Sequence, residues 1–167
     1  IKSGKQEDFD FQILEATENV NQAQKVILVS EIEKYFGGNL QGKKIAVWGL
    51  AFKANTDDIR EASSLDNIEK LLEKGATISA YDAIAEENVR KLLGDKIAYS
   101  KDMYSALENA DCLLIATEWS EFKNPNFEIM AEKMNNKAIF DGRNMFALEQ
   151  IEDKGFFYKS IGRKTLG

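Results

Sequence analysis

The sequence contains no histidine and only one cysteine, Cys112, among its 167 residues. Histidine is the commonest general base and the commonest metal ligand, so its absence argues against a self-contained hydrolase or zinc enzyme. A single cysteine cannot form an internal disulfide, which favours a reducing compartment. Because Cys112 lies inside an apolar run, we expect it to be an inert core thiol and not a nucleophile. We therefore expect no metal site in this chain.

Long hydrophobic runs are also missing. No segment approaches the roughly 20 apolar residues of a membrane-spanning helix, and the polar, acidic start does not resemble a signal peptide. The formal net charge is −6, which argues against non-specific binding to nucleic acids or anionic membranes. These features predict a soluble, cytoplasmic protein. A start without Met suggests a piece of something longer.

Proline is scarce, with Pro125 the only one, and the segment 11–36 contains neither proline nor glycine. After a charged lead-in over 1–10, this segment reads as one long helix that Gly37 and Gly38 would end. Its centre, 26–29, is apolar all the way round. Such a helix could cover the sheet of its own domain, but a role at a dimer or inter-domain interface is favoured. We therefore assign 1–40 to a connecting and dimerisation helix.

Strand-like and helix-like segments alternate over 41–167. Six apolar segments are predicted strands, the last of them at a sheet edge: 45–48, 77–81, 97–99, 112–116, 138–140 and 156–158. Four segments between them are predicted helices: 65–72, 85–93, 103–107 and 127–134. This alternation is typical of an α/β fold with a mainly parallel sheet, a Rossmann-like three-layer sandwich. In such a fold, ligands bind beyond the carboxyl ends of the strands.

The loop 49–60 follows the first predicted strand. It carries one glycine, and Ala51 and Ala54 stand where a dinucleotide-binding loop has its second and third glycines, so an NAD pyrophosphate is disfavoured here. Phe52 and Lys53 could instead present an aromatic face and an ammonium group to a ligand. The alternative is that Phe52 belongs to the core and Lys53 is solvated.

Other residues after the strands have two interpretations each. Asp57 or Asp58 could cap the next helix and pair with Arg60. Asp82 could bind a ribose hydroxyl, although a helix cap is favoured.

The segments after the fourth and fifth strands complete the rim of the predicted crevice. Trp119 could line a pocket or cover the sheet. Arg143 follows Gly142, which permits an unusual backbone angle, and is expected on the same rim as Lys53. Two cations that converge there would suit a diphosphate, whereas the alternative places Arg143 in a surface ion pair.

Several motifs, in the right order, resemble the C-terminal part of the UDP-glucose/GDP-mannose dehydrogenase family. They are the segment 42–61, Tyr81-Asp82, Ala110-Asp111, and the segments 117–122, 140–144 and 155–163. The stretch Asn21-Gln22-Ala23-Gln24-Lys25 resembles the central helix of that family. One small departure is Ala83, where the family usually has proline.

The resemblance implies that 41–167 is a UDP-binding Rossmann-like domain, with Phe52, Lys53 and Arg143 in contact with the nucleotide sugar. It implies that Arg60 reaches NAD held mainly by a separate N-terminal domain. That domain and the catalytic cysteine of the family would precede Ile1, so this chain is expected to be inactive alone. The resemblance also implies a homodimer through the 11–36 helix.

The family resemblance favours oxidation of UDP-glucose to UDP-glucuronate with two NAD, in polysaccharide biosynthesis. GDP-mannose and UDP-N-acetylmannosamine dehydrogenases share the architecture and remain alternatives. A non-catalytic oligomerisation module is a second hypothesis, and a stand-alone NAD-binding domain is a third, which the missing glycines disfavour.

Overall fold

The structure is a computed structural model that describes residues 12–167. The predicted lead-in and the predicted helix start at residue 11 lie outside this range. Seven α-helices are described within it: α1 Gln12–Lys25, α2 Ile27–Tyr35, α3 Ser63–Glu73, α4 Glu86–Leu93, α5 Met103–Ala106, α6 Phe127–Lys133 and α7 Leu148–Ile151. The six strands are β1 Lys44–Trp48, β2 Thr77–Tyr81, β3 Ala98–Tyr99, β4 Cys112–Ile115, β5 Ala138–Asp141 and β6 Phe157–Ser160.

All six strands pair in parallel, in the order β3-β2-β1-β4-β5-β6. The chain starts in the middle of the sheet, builds outward to β3, and then returns to β4 beside β1. Ile45 lies opposite Cys112 in that central pair. The strand order reverses at this point, which makes the carboxyl ends of β1 and β4 the expected ligand crevice. The predicted α/β class, Rossmann-like layering and parallel sheet are confirmed.

The core lies on both faces of the sheet. Every residue of β4 and β5 is buried, as a central parallel strand covered by helices requires. Large apolar side chains from loops complete the core, among them Leu40, Phe122 and Phe146. Cys112 is fully buried in β4, and burial raises the pKa of its thiol well above the ordinary range. The prediction that it is a core residue is correct.

The predicted single helix over 11–36 is interrupted at Val26, where φ is −110° and ψ is 12°. The amide of Val29 donates to the carbonyl of Val26, and the carbonyl of Lys25 accepts instead from the Asn67 side chain of α3, at 2.7 Å. A side chain inserted into the ladder is a recognised cause of helix breaks. The break separates α1 from α2, and α2 ends at Gly37 and Gly38 as predicted.

The apolar run at the break packs against the sheet of its own domain. Leu28, Val29 and Ile32 are buried in the core, so this run takes the covering role that was the less favoured alternative. Helix α1 differs, because it has no buried residue and leaves Ile13 82% and Val20 59% exposed. None of the helices described from residue 12 onward is long and apolar enough to cross a bilayer.

The Asn67 contact predicts the behaviour of α1. Replacing Asn67 with Leu keeps the branched shape of the side chain but removes the donor to Lys25, leaving a carbonyl at the break without that partner. We expect amide hydrogen exchange in α1 to accelerate, with a loss of about 1 kcal/mol in the free energy of unfolding. Hydrogen exchange by mass spectrometry measures the first and urea unfolding the second. Glu69→Ala, an exposed change on the same helix, is the control, and equal exchange in both variants would contradict the prediction.

Candidate functional site

The loop after β1 begins with a glycine that nothing else can replace. Gly49 has a φ of +91°, and a Cβ at this position would lie 2.3 Å from the Cβ of Thr117. Thr117 in turn donates from its hydroxyl to the carbonyl of Ala51 at 2.6 Å. The loops after β1 and β4 are therefore pressed together at the strand reversal, which fixes where both loops start.

Asp82, directly after β2, is the buried anchor of this region. Its Oδ2 accepts from the amides of Leu50 and Ala51 at 2.6 and 3.0 Å, and from the indole of Trp119 at 3.0 Å. Its Oδ1 accepts from the amides of Ile84 and Ala85, in the turn that leads into α4. Both oxygens are occupied and the residue is buried, which argues against ribose binding. Asp82 shapes the turn before α4, but α4 begins after Ala85 without a side-chain cap, so the predicted cap is not formed.

The electrostatics of Asp82 follow from these contacts. Burial by itself would raise the pKa of its carboxyl, but the backbone amides that surround it outweigh burial and hold the pKa below its ordinary value. Because Asp82 uses the amides of Leu50 and Ala51, the first turn of the β1 loop has no such donors left for a pyrophosphate. Trp119 is buried, with its indole directed at Asp82, and it does not line the cavity described below. These observations favour the covering role of the two predicted ones.

Arg143 joins the loops after three strands. Its Nε–H donates to the carbonyl of Ala116 at 2.8 Å, and one N–H of its NH2 group donates to the carbonyl of Phe52 at 3.0 Å. The carboxylate of Glu118 lies 3.2 Å from Nε. The three remaining N–H groups of the guanidinium have no partner within residues 12–167. Arg143 is thus both a structural tie and a donor with capacity left for an anion.

The local backbone places Arg143 by a different device from the predicted one. Gly142 does not have a positive φ, and the left-handed residue of this turn is Asn144, with φ +53°. What requires glycine at 142 is space, since a Cβ would lie 3.0 Å from the carbonyl oxygen of Ile115. Buried Asp141 shapes the rest of the turn by accepting from the amides of Arg143 and Met145.

A cavity of about 430 Å³ opens beside these strand ends. Its walls come from the end of α1, the start of α2, the start of α3 and the carboxyl ends of β4 and β5. The lining polar and aromatic side chains are Asn21, Gln24, Lys25, Phe52, Glu61, Ser63, Asn67 and Arg143. Of the predicted substrate residues, Phe52 and Arg143 reach this cavity, while Lys53 is exposed and is not among its lining residues.

Two cations near the cavity are already paired. The ammonium group of Lys25 lies against Glu61 and 3.6 Å from Asp66, and the hydrogen bond that it donates to Glu61 raises its pKa. Arg60 forms a bidentate ion pair with Asp58, in which Nε donates to Oδ1 at 2.9 Å and Nη2 donates to Oδ2 at 2.7 Å. That pair lowers the pKa of Asp58 to about 2. The guanidinium of Arg60 is 87% exposed, so it faces outward from the domain.

The predicted caps on α3 are not formed by Asp57 or Asp58. The helix begins after Ala62 without a side-chain cap. The carboxylate of Asp57 accepts instead from the side-chain amide of Asn88. Sequence reasoning did not identify Lys25, Asn67 or Glu118 as site residues. Lys25 belongs to the motif that resembles the family's central helix, which was an available signal. No sequence pattern linked Asn67 to the break in the helix.

Comparisons with known proteins agree with this geometry. The sequence model of the UDP-glucose/GDP-mannose dehydrogenase family, UDP binding domain, matches residues 46–148. A UDP-glucose 6-dehydrogenase of Pseudomonas aeruginosa is 38% identical over 100% of this chain, which covers 38% of that protein. The chain thus spans little more than a third of the length of such curated relatives.

Solved structures give the same picture. A UDP-glucose dehydrogenase from Pyrobaculum islandicum superposes with a TM-score of 0.77 at 32% identity, over 87% of this chain and 32% of that one. The UDP-N-acetyl-mannosamine dehydrogenase Cap5O from Staphylococcus aureus superposes with a TM-score of 0.70 at 28% identity, over 91% of this chain and 34% of that one.

Asp82 generates a prediction about stability. Asp82→Asn directs an amide group at backbone donors, so we expect the free energy of unfolding at pH 7 to fall by about 2 kcal/mol. The native carboxyl has a lowered pKa, so its contribution is complete above the unfolded value near 4 and is lost as the pH falls through the native value. The difference between native and variant chains should therefore shrink in acid.

Urea unfolding from pH 7 down to pH 3 measures this difference. Asp153→Asn changes an exposed aspartate and is the matched control. A difference between the native and Asp82→Asn chains that stays constant over this range would show that the charge of Asp82 does not stabilise the loop junction.

Proposed function

Because the chain belongs to the UDP-glucose/GDP-mannose dehydrogenase family, we propose that residues 41–167 bind the UDP part of a nucleotide sugar for an NAD-dependent UDP-glucose 6-dehydrogenase. The observation that carries the proposal is Arg143. It lines a cavity at the strand reversal and keeps three N–H donors without a partner among the described residues. A guanidinium with parallel donors is well suited to phosphate oxygens.

The backbone amides of Leu50 and Ala51 are not available to a phosphate, which supports phosphate binding by side chains. Both amides donate to Asp82, so a phosphate here depends on side chains such as Arg143 and Lys53. Lys53 is exposed on the same loop as Phe52, from which it can reach a ligand that extends out of the cavity. Phe52 is 45% exposed and offers an aromatic face to a base or sugar.

The same amides bear on NAD. A dinucleotide-binding loop presents backbone donors to the pyrophosphate, and the β1 loop of this chain does not fit that group. NAD, which would accept hydride when bound, is therefore proposed to bind mainly outside this domain. Arg60, whose side chain is 87% exposed, is the residue of this chain that we propose contacts it. The alternative of a stand-alone NAD-binding domain is correspondingly weakened.

The proposed role of the chain is to bind and orient substrate, not to react with it. Cys112 is buried with a raised pKa, and no cluster of metal-ligating side chains occurs in the part of the chain that the structure describes. The chain alone is proposed to be inactive. The whole protein is proposed to be a cytoplasmic enzyme of polysaccharide biosynthesis. UDP-glucose is the proposed substrate, and the similarity to a UDP-N-acetyl-mannosamine dehydrogenase keeps other nucleotide sugars as alternatives.

Calorimetric titration with UDP tests the site. Lys53→Ala and Arg143→Ala each remove a charged contact worth about 1.5–3 kcal/mol, so we expect UDP affinity to fall at least several-fold in both. Only Arg143→Ala should also lower the midpoint of thermal unfolding, because it removes the hydrogen bonds that join three loops. Lys101→Ala, an exposed lysine after β3, is the control. Unchanged titrations in both test variants, or no binding of UDP by the folded native chain, would contradict the proposal.

We also propose a homodimer through the segment 11–36, and the exposed apolar face of α1 supports it. That face is also what a non-catalytic oligomerisation module would need. Deleting residues 1–40 would remove the buried α2 side chains, so substitution on α1 is the cleaner test. We expect Ile13→Gln, Leu14→Gln and Val20→Gln together to reduce the mass measured by light scattering from dimer to monomer.

The control is the pair Ile84→Gln and Leu92→Gln, exposed apolar residues elsewhere on the domain. If the native chain is a monomer, or if the α1 variant remains a dimer, the proposed interface is wrong. UDP binding that survives dissociation would separate the binding role from the oligomerisation role.

A further inference from the structure

Glu118, just after β4, places a carboxylate against the cation of the proposed site. Its Oε2 lies 3.2 Å from Nε of Arg143, but the N–H at Nε is directed at the carbonyl of Ala116. Oε2 is buried and accepts no hydrogen bond from residues 12–167. It therefore acts on Arg143 through charge and not through a hydrogen bond.

The other oxygen of the same carboxylate reaches the β1 loop. Oε1 accepts from the amide of Ala54 at 3.4 Å, and Ala54 directly follows Phe52 and Lys53. Glu118 thus lies between the guanidinium on one side and the segment that carries both proposed ligand residues on the other. A single carboxylate thus contacts both the loop after β1, at Ala54, and the turn after β5, at Arg143.

We infer that Glu118 is a built-in counter-ion that sets the affinity of this site for phosphate groups. The inference rests on the proposed function, because it takes phosphate as the group that meets Arg143. An empty site must hold a partly buried guanidinium, and a nearby carboxylate lowers the cost of doing so. The same carboxylate repels an incoming phosphate, since like charges in a site of reduced dielectric oppose each other.

Glu118 is therefore a residue in a binding site whose charge weakens the binding of the ligand. Removing the charge of Glu118 strengthens the binding of a phosphorylated ligand, provided that the acceptor for Ala54 is kept. Glu118→Gln meets this condition, because its amide oxygen replaces Oε1. Uridine, which has no phosphate, does not sense the change.

The experiment is calorimetric titration of the native chain and of Glu118→Gln with UDP, uridine and inorganic pyrophosphate. We expect UDP and pyrophosphate to bind about 3- to 10-fold more tightly to the variant, with uridine unchanged. Glu121→Gln removes the same charge in the same loop, where the carboxylate instead meets the hydroxyl of Tyr81, and should leave all three titrations unchanged. Thermal unfolding checks that each variant is folded.

Each result decides the matter. Equal affinities in the native and Glu118→Gln chains, an equal gain for uridine, or an equal gain in Glu121→Gln overturns the inference while the proposed function stands. If the native chain binds no UDP, the proposed function is wrong, and the pyrophosphate titration alone decides the role of Glu118. Glu118→Ala gives a second reading, since its UDP-to-uridine selectivity must also rise.

Discussion

The carboxylate of Asp82 is the constraint on which the rest of the site depends. It brings the first turn of the β1 loop, the turn before α4 and the indole of Trp119 to one buried point. Backbone amides that a nucleotide-binding loop would ordinarily turn toward phosphate are instead turned inward. In the proposed site, phosphate would therefore have to be bound by side chains and not by the backbone of this loop.

That requirement bears on the organisation around Arg143. A side chain proposed to replace backbone donors has to be held rigidly, and the guanidinium of Arg143 donates to the carbonyls of Ala116 and Phe52 in two other loops. The cost is that part of its hydrogen-bonding capacity is spent on the protein itself. The planar guanidinium tolerates this division of labour because its donors point along separate edges, which an ammonium group could not match.

Much of this fold follows from the order of residues along the chain. Alternating apolar segments and short polar connections place the strands, and a parallel sheet then puts the expected crevice beyond their carboxyl ends. The strand order of the structure places it after β1 and β4. The sequence also identifies Arg143 and Phe52 as neighbours of that crevice, since both lie in loops that follow strands. These predictions succeed because they depend on local patterns and on a topology with few alternatives.

The parts that could not be predicted depend on contacts between distant segments. The break at Val26 interrupts a stretch with no proline or glycine, and its physical reason is an asparagine some forty residues away, Asn67. Gly142 is required by the approach of the Ile115 carbonyl and not by its own backbone angle. Asp58 pairs with Arg60 as predicted, but neither Asp57 nor Asp58 caps α3, which begins only after Ala62.

The placement of the single thiol has a consequence for how this domain can be followed in solution. Cys112 is the first residue of β4, a strand that pairs with β1 and β5, and it is fully buried. A reagent that alkylates sulfur can reach it only after the sheet itself has come apart, so fraying at either end of the chain leaves it protected. The rate at which such a reagent labels Cys112 in the native domain therefore reports how often the whole structure opens.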